Sequence, residues 1–105
     1  LSHYFFEAPK TYDDKAFAKA FKAGTKELMT ELVFIINSIE EFSVENLQSQ
    51  IKTWITDNNK GFGNVMMPLR LALVGELKGP EVFDIMAMIG KEESINRIEN
   101  VLSVL

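Results

Sequence analysis

The sequence has no cysteine among its 105 residues and only one histidine, His3. Without cysteine the chain forms no disulfide and offers no thiolate ligand to a metal, so its stability must come from an apolar core. Folding a chain of this length buries about 65% of its unfolded surface, which is enough for such a core. With one histidine and no carboxylate at ligand spacing, we expect no metal site and no catalytic residues. The lack of cysteine also fits a reducing, cytoplasmic location.

Long apolar runs are also missing. The longest uncharged stretch, residues 61–69, contains two glycines and a proline, whereas a membrane-spanning helix needs about 20 apolar residues. We therefore expect no membrane partner. The first residues carry no basic leader before an apolar run, so we expect no signal peptide. The chain begins with Leu1, from which we expect a fragment or a processed product, with residues 1–105 forming one domain.

An excess of positive charge is absent as well. The formal net charge is −4, which argues against a general nucleic-acid binder and against DNA as a partner. The middle of the chain differs, because residues 43–75 carry three basic and two acidic side chains. Any contact with a phosphate backbone is therefore expected to be local and small.

What the sequence does contain is a series of amphipathic stretches separated by capping residues. One apolar stripe, with spacings typical of a helix, consists of Leu28, Leu32, Ile35, Ile36 and Ile39. A second includes Leu47, Ile51, Trp54 and Ile55 after a capping Ser43, and it predicts a buried Trp54. The pattern predicts an all-α, single-domain bundle of about six helices and no sheet, with helices near 13–22, 25–42, 43–58, 63–74, 80–89 and 91–104.

The stretch from Asn64 to Val74 is apolar on almost every side. It is typical of a buried helix, although a buried strand has the same pattern. A strand is disfavoured because no second strand-like segment would pair with its backbone. Pro68 must either start this helix or kink it. Four methionines in the second half of the chain are interpreted as core residues: Met66, Met67, Met86 and Met88.

Arg70 is the exception in that apolar stretch, since it is charged and lies between Leu69 and Leu71. Two interpretations are open. The guanidinium extends to the rim of the bundle or pairs with a glutamate, or it binds an anionic ligand or the edge of a base.

Three segments in the last third of the sequence carry a family resemblance. Residues 63–75 read G-N-V-M-M-P-L-R-L-A-L-V-G, residues 79–85 read G-P-E-V-F-D-I, and residues 89–98 read I-G-K-E-E-S-I-N-R-I. In this order and spacing they resemble the C-terminal anticodon-binding domain of bacterial glutamyl-tRNA synthetases, which are class I aminoacyl-tRNA synthetases. The resemblance extends upstream to Phe5-Phe6 and to residues 12–16 and 42–47.

The resemblance implies an anticodon-binding helical cage whose partner is the anticodon arm of glutamate tRNA. It implies that Arg70 contacts an anticodon base, and that Gly79 and Pro80 lie at the anticodon. Lys60 and Lys78, and also Lys91, flank the same loops and are candidate phosphate contacts; the alternative for each is an ordinary solvated surface lysine.

The resemblance also bears on catalysis. The parent enzyme would be an ATP- and Mg-dependent glutamate–tRNA ligase and a monomer. Nothing in this chain resembles the HIGH-type or KMSKS-type motifs of the catalytic domain, so this domain is expected to be non-catalytic and to need no cofactor. The alternative is a helical protein–protein interaction module without an RNA role, because acidic charge and capped helices suit it equally.

Overall fold

The computed structural model describes residue 12, residues 14–75 and residues 81–104. Within those ranges the chain forms six helices and no strand, which confirms the all-α prediction. The helices are α1 (Asp14–Ala20), α2 (Thr25–Ser38), α3 (Val44–Asp57), α4 (Phe62–Val74), α5 (Val82–Ile89) and α6 (Lys91–Leu102).

The helix ends follow from local chemistry. The Ser43 hydroxyl accepts a hydrogen bond from the Asn46 backbone N–H at 3.2 Å, which caps the start of α3. Gly75 has a φ of 83°, the left-handed conformation that favours glycine, and it ends α4. Helix α2 ends at Ser38 rather than near residue 42, because Ile39 is extended and its N–H bonds the Ile36 carbonyl.

Helix α4 is the centre of the bundle and contacts each of the other five described helices. Pro68 lies inside it and is buried, six residues after the helix begins. Since proline has no N–H, α4 loses one hydrogen bond at this point. The helix is nevertheless continuous, because its apolar side chains are packed on several sides.

The core confirms most of the predicted stripes. Trp54 is 8% exposed, as predicted. On α2 the buried face is rotated from the expected one, since Met29 is fully buried while Leu28 and Ile35 are half-buried. The interpretation of the methionines as core residues is wrong for Met88, which is 71% exposed. Met88 is exposed because it lies on the solvent-facing side of the short helix α5.

Helix α1 docks onto α4 through aromatic rings. The Phe17 and Phe21 rings stack with centroids 4.8 Å apart, and the Tyr12 ring lies 6.0 Å from Phe17. They surround a small cluster formed by Ala20 of α1 and Leu71 of α4. Burial raises the pKa of the Tyr12 hydroxyl above its ordinary value of 10.0.

Candidate nucleic-acid interface

Arg70 lies on α4, one turn before the helix ends. The residues on either side of it, Leu69 and Leu71, are fully buried, whereas Arg70 itself is half-buried. Met66 and Met67 precede it by four and three residues, so they share its side of the helix and are also half-buried. Arg70 therefore stands at the rim of the bundle on a helix that is fixed by its buried neighbours.

A second arginine, Arg97 of α6, is fully buried. Its Nε donates a hydrogen bond to Glu93 Oε2 at 2.8 Å, and its Nη1 donates to the Leu73 carbonyl at 3.0 Å. Leu73 is in the last turn of α4, where carbonyls have no partner within the helix. Arg97 thus joins α6 to the end of α4 that carries Arg70.

Sequence reasoning did not single out Arg97. It is part of the segment 89–98 that carries the resemblance, and Glu93 precedes it by four residues, a spacing typical of helical ion pairs. That spacing was the signal available in the sequence.

Lys60 lies between α3 and α4, and its side chain has two contacts. Its Nζ is 3.7 Å from Glu31 Oε2 and 5.6 Å from the centroid of the Trp54 ring. The backbone N–H of Lys60 donates to the Ile55 carbonyl at 2.9 Å. The ammonium group is therefore held at the junction of α2, α3 and α4.

Lys91 is at the start of α6, and its Nζ donates a hydrogen bond to the Asn37 carbonyl at 3.2 Å. Asn37 is in the last turn of α2, where a positive charge is favoured by the helix dipole. The predicted phosphate contacts of Lys60 and Lys91 stay predictions. The other three predicted site residues, Lys78, Gly79 and Pro80, lie outside the described residues, as does His3.

The described candidates are spread over the bundle. Phe62 and Arg70 are eight residues apart on α4, which is about 12 Å along the helix axis. Lys60 precedes the start of α4, so it lies near the opposite end of the helix from Gly75. The structure therefore places Arg70 near the hydrogen bond between Arg97 and the Leu73 carbonyl, and it places Lys60 at a separate location.

A groove of ≈ 480 Å³ opens beside Lys60, and two lysines line it without any carboxylate. Its exposed aromatic side chain is that of Phe62, which is 51% exposed. Sequence reasoning singled out neither Lys52 nor Phe62, so it missed this groove. The lining residues are Lys52, Ile55, Thr56, Asn59, Lys60 and Phe62.

Neither a metal cluster nor a membrane span occurs in the described part of the chain. No group of three or more His, Asp or Glu side chains there could hold a metal ion. No helix in those ranges is both long enough and apolar enough to cross a membrane.

Comparison with known proteins places the chain in a family. A family model described as an anticodon binding domain matches residues 1–102. The glutamate–tRNA ligase of Flavobacterium psychrophilum is 50% identical over 105 residues, which are 100% of this chain and 21% of that protein. That of Christiangramia forsetii is 48% identical over 103 residues, 98% of this chain and 20% of that protein.

A solved structure agrees with these relatives. The crystal structure of a glutamate tRNA ligase from Elizabethkingia meningosepticum, in complex with its amino acid, superposes with a TM-score of 0.93 at 47% identity. The match covers 99% of this chain and 20% of that one. The chain thus spans about a fifth of the length of the curated relatives it matches. On the family model and these similarities, the chain belongs to the anticodon binding domain family.

Proposed function

We propose that this chain is the C-terminal anticodon-binding domain of a longer glutamate–tRNA ligase and that it binds the anticodon arm of glutamate tRNA. The observation that carries the proposal is the position of Arg70, a half-buried arginine at the rim of the central helix of an anticodon binding domain. The similarity to the glutamate–tRNA ligases named above is the reason for proposing glutamate as the amino acid and tRNA as the RNA.

Arg70 suits base recognition on chemical grounds. Anticodon bases are single-stranded and splayed, so their edges are open to hydrogen bonds. A guanidinium group is planar and presents several donors in a fixed fork, whereas a lysine offers a single mobile ammonium. We infer that Arg70 donates to the edge of one anticodon base.

The surroundings of Arg70 support this role by fixing its position. Leu69 and Leu71 are fully buried on either side, so the backbone at Arg70 has little freedom. The bond from Arg97 to the Leu73 carbonyl fixes the following turn. A donor held in place before the ligand arrives loses less entropy on binding, which strengthens binding.

The remaining parts of the proposal concern the loops and the parent enzyme. We propose Gly79 and Pro80 as backbone contacts to the anticodon, and Lys60, Lys78 and Lys91 as contacts to phosphates. ATP and Mg²⁺ would be bound by a catalytic domain of the parent ligase, and the described residues of this chain offer no ligand cluster for the metal. We further propose a cytoplasmic enzyme that acts as a monomer.

The proposal is tested by titrating the chain with the anticodon stem-loop of glutamate tRNA and with a stem-loop that differs only in its anticodon. We expect the cognate RNA to bind about tenfold more tightly, which corresponds to 1.4 kcal/mol. Both RNAs should show the same dependence on salt, because their phosphates are the same. Equal affinities would refute anticodon reading, and a failure of both RNAs to bind would favour the protein-interaction alternative.

A further inference from the structure

The groove beside Lys60 is built from the end of α3 and the start of α4. Lys52 and Thr56 are four residues apart and so lie on one side of α3, and Asn59 follows in the turn after the helix. Phe62, the first residue of α4, also lines the groove. The cavity of ≈ 480 Å³ lies within the range of about 300–1,000 Å³ that is usual for small-molecule sites.

The charge of this groove departs from that of the chain as a whole. Two of its six lining residues are lysines and none is acidic, although the chain carries a net charge of −4. Lys52 is exposed, and Lys60 is held at the rim by Glu31 and by the Trp54 ring. The groove therefore offers one exposed ammonium group and one that is already positioned.

Phe62 adds an aromatic surface to these charges. Single exposed apolar side chains are ordinary, and Phe34 on α2 is a case in point at 72% exposure. Phe62 differs because its ring shares a cavity with two lysines and with the polar side chains of Thr56 and Asn59. An aromatic ring beside lysines is the combination that binds unpaired nucleotides, the base by stacking and the phosphate by charge.

We propose that this groove holds one unpaired nucleotide of the bound RNA. Its base stacks on Phe62, its phosphate lies between Lys52 and Lys60, and Thr56 and Asn59 hydrogen-bond the sugar or the base edge. The identity of the RNA as a tRNA rests on the proposed function above. Stacking is tolerant of sequence, so the groove contributes affinity but no preference for one anticodon.

The first test compares Phe62→Ala with Phe34→Ala, which removes an even more exposed ring outside the groove. Affinity for the cognate anticodon stem-loop should fall about fivefold to a hundredfold for Phe62→Ala, as expected for one stacked base. It should change less than twofold for Phe34→Ala, and Phe62→Tyr should retain the parental affinity because it keeps the ring. Equal effects of the two alanine variants would overturn the proposal.

The second test measures the salt dependence of binding. A plot of the logarithm of the association constant against the logarithm of the salt concentration has a negative slope. The double variant Lys52→Gln/Lys60→Gln should make this slope less steep by about 0.7, because one phosphate contact is lost. The control Lys15→Gln/Lys19→Gln removes two exposed lysines of α1 that do not line the groove, and it should leave the slope unchanged. The same loss of slope in both variants would overturn the assignment to this groove.

A third test uses Glu31, which competes with the phosphate for Lys60. Glu31→Gln should tighten RNA binding by up to about fivefold, the strength of an exposed ion pair. Glu27→Gln removes an exposed carboxylate one turn earlier on α2 and should have a smaller effect. If both variants tighten binding equally, Glu31 does not compete with the RNA phosphate for Lys60.

The two proposals fail in different ways. The Phe62→Ala variant should lose affinity equally for the cognate and the anticodon-swapped RNA. Normal discrimination with unchanged affinity in Phe62→Ala would overturn the groove and leave the proposed function intact. Equal binding of the two RNAs, together with a loss of affinity in Phe62→Ala, would overturn anticodon reading and support the groove.

Discussion

The two described arginines of the bundle differ in how deeply they are buried. Arg70 lies in α4, the apolar central helix, and is half-buried, whereas Arg97 lies in α6 among glutamates and asparagine and is fully buried. The arginine with the more apolar sequence neighbours is thus the more exposed of the two. Apolar neighbours in sequence therefore do not predict which of the two charges is buried more deeply.

The partners of Arg97 explain why it is tolerated in the core. Glu93 supplies a charged acceptor, and the end of α4 supplies the Leu73 carbonyl. A buried arginine stabilises a fold only when such partners replace its lost hydration. We therefore assign Arg97 to the structure and propose Arg70 for the ligand, and the following substitutions separate the two roles.

The largest loss of stability is expected for an apolar side chain, Trp54, and it serves as the reference for the losses expected at the arginines. Trp54→Ala removes a ring that is 8% exposed and leaves a cavity, so the free energy of unfolding should fall by about 3–5 kcal/mol. Urea denaturation measures this value. Met88→Ala, at an exposed position, should stay within about 0.5 kcal/mol of the parent. A Trp54→Ala protein as stable as the parent would contradict the burial of the α3 stripe.

Arg97→Ala should have the next largest effect. It deprives Glu93 and the Leu73 carbonyl of their donor, and we expect a loss of about 3 kcal/mol, the lower end of the range for a broken buried pair, because Glu93 is partly exposed. The same denaturation experiment measures it. A loss below about 1 kcal/mol would be closer to that of an ordinary surface residue and would contradict a structural role for Arg97.

Glu93→Gln should cost less than either. The side chain of Glu93 is 38% exposed, so solvent screens its charge, and glutamine still offers an oxygen to Arg97. We expect a loss of about 0.5–1 kcal/mol. High salt should reduce the difference between the parent and this variant. A salt-independent loss would indicate that Glu93 acts by packing and not by charge.

Much of the fold was predictable from local patterns, because helix caps and apolar stripes act within a few residues. The ends of α4, the cap at Ser43 and the burial of Trp54 are of this kind. The rotation of α2 that buries Met29 was not predictable, since it depends on which helices pack against it. The hydrogen bond from Arg97 to the Leu73 carbonyl connects residues 24 positions apart, and the helical spacing of apolar residues does not predict such a contact.

The candidate site divides in the same way. Arg70 was singled out because a charge interrupts an apolar stretch, and the role that the family resemblance implies for it stays a prediction. The groove was missed because its residues come from two helices and the link between them, and only the fold places Lys52 beside Phe62. The contacts of Lys60 with Glu31 and of Lys91 with Asn37 likewise required the tertiary structure.

The most direct test of the central claim measures Arg70→Lys and Arg97→Lys side by side, for both anticodon discrimination and melting temperature. Lysine keeps the charge and removes the planar fork. Arg70→Lys should lose about 1–3 kcal/mol of discrimination between cognate and swapped stem-loops, taking bidentate base contacts as a guide, and should melt within a few degrees of the parent. Arg97→Lys should melt clearly lower and keep its discrimination when measured well below its melting temperature. If Arg70→Lys instead lowers the melting temperature and binds the two RNAs as the parent does, Arg70 is a structural residue and the claim is contradicted.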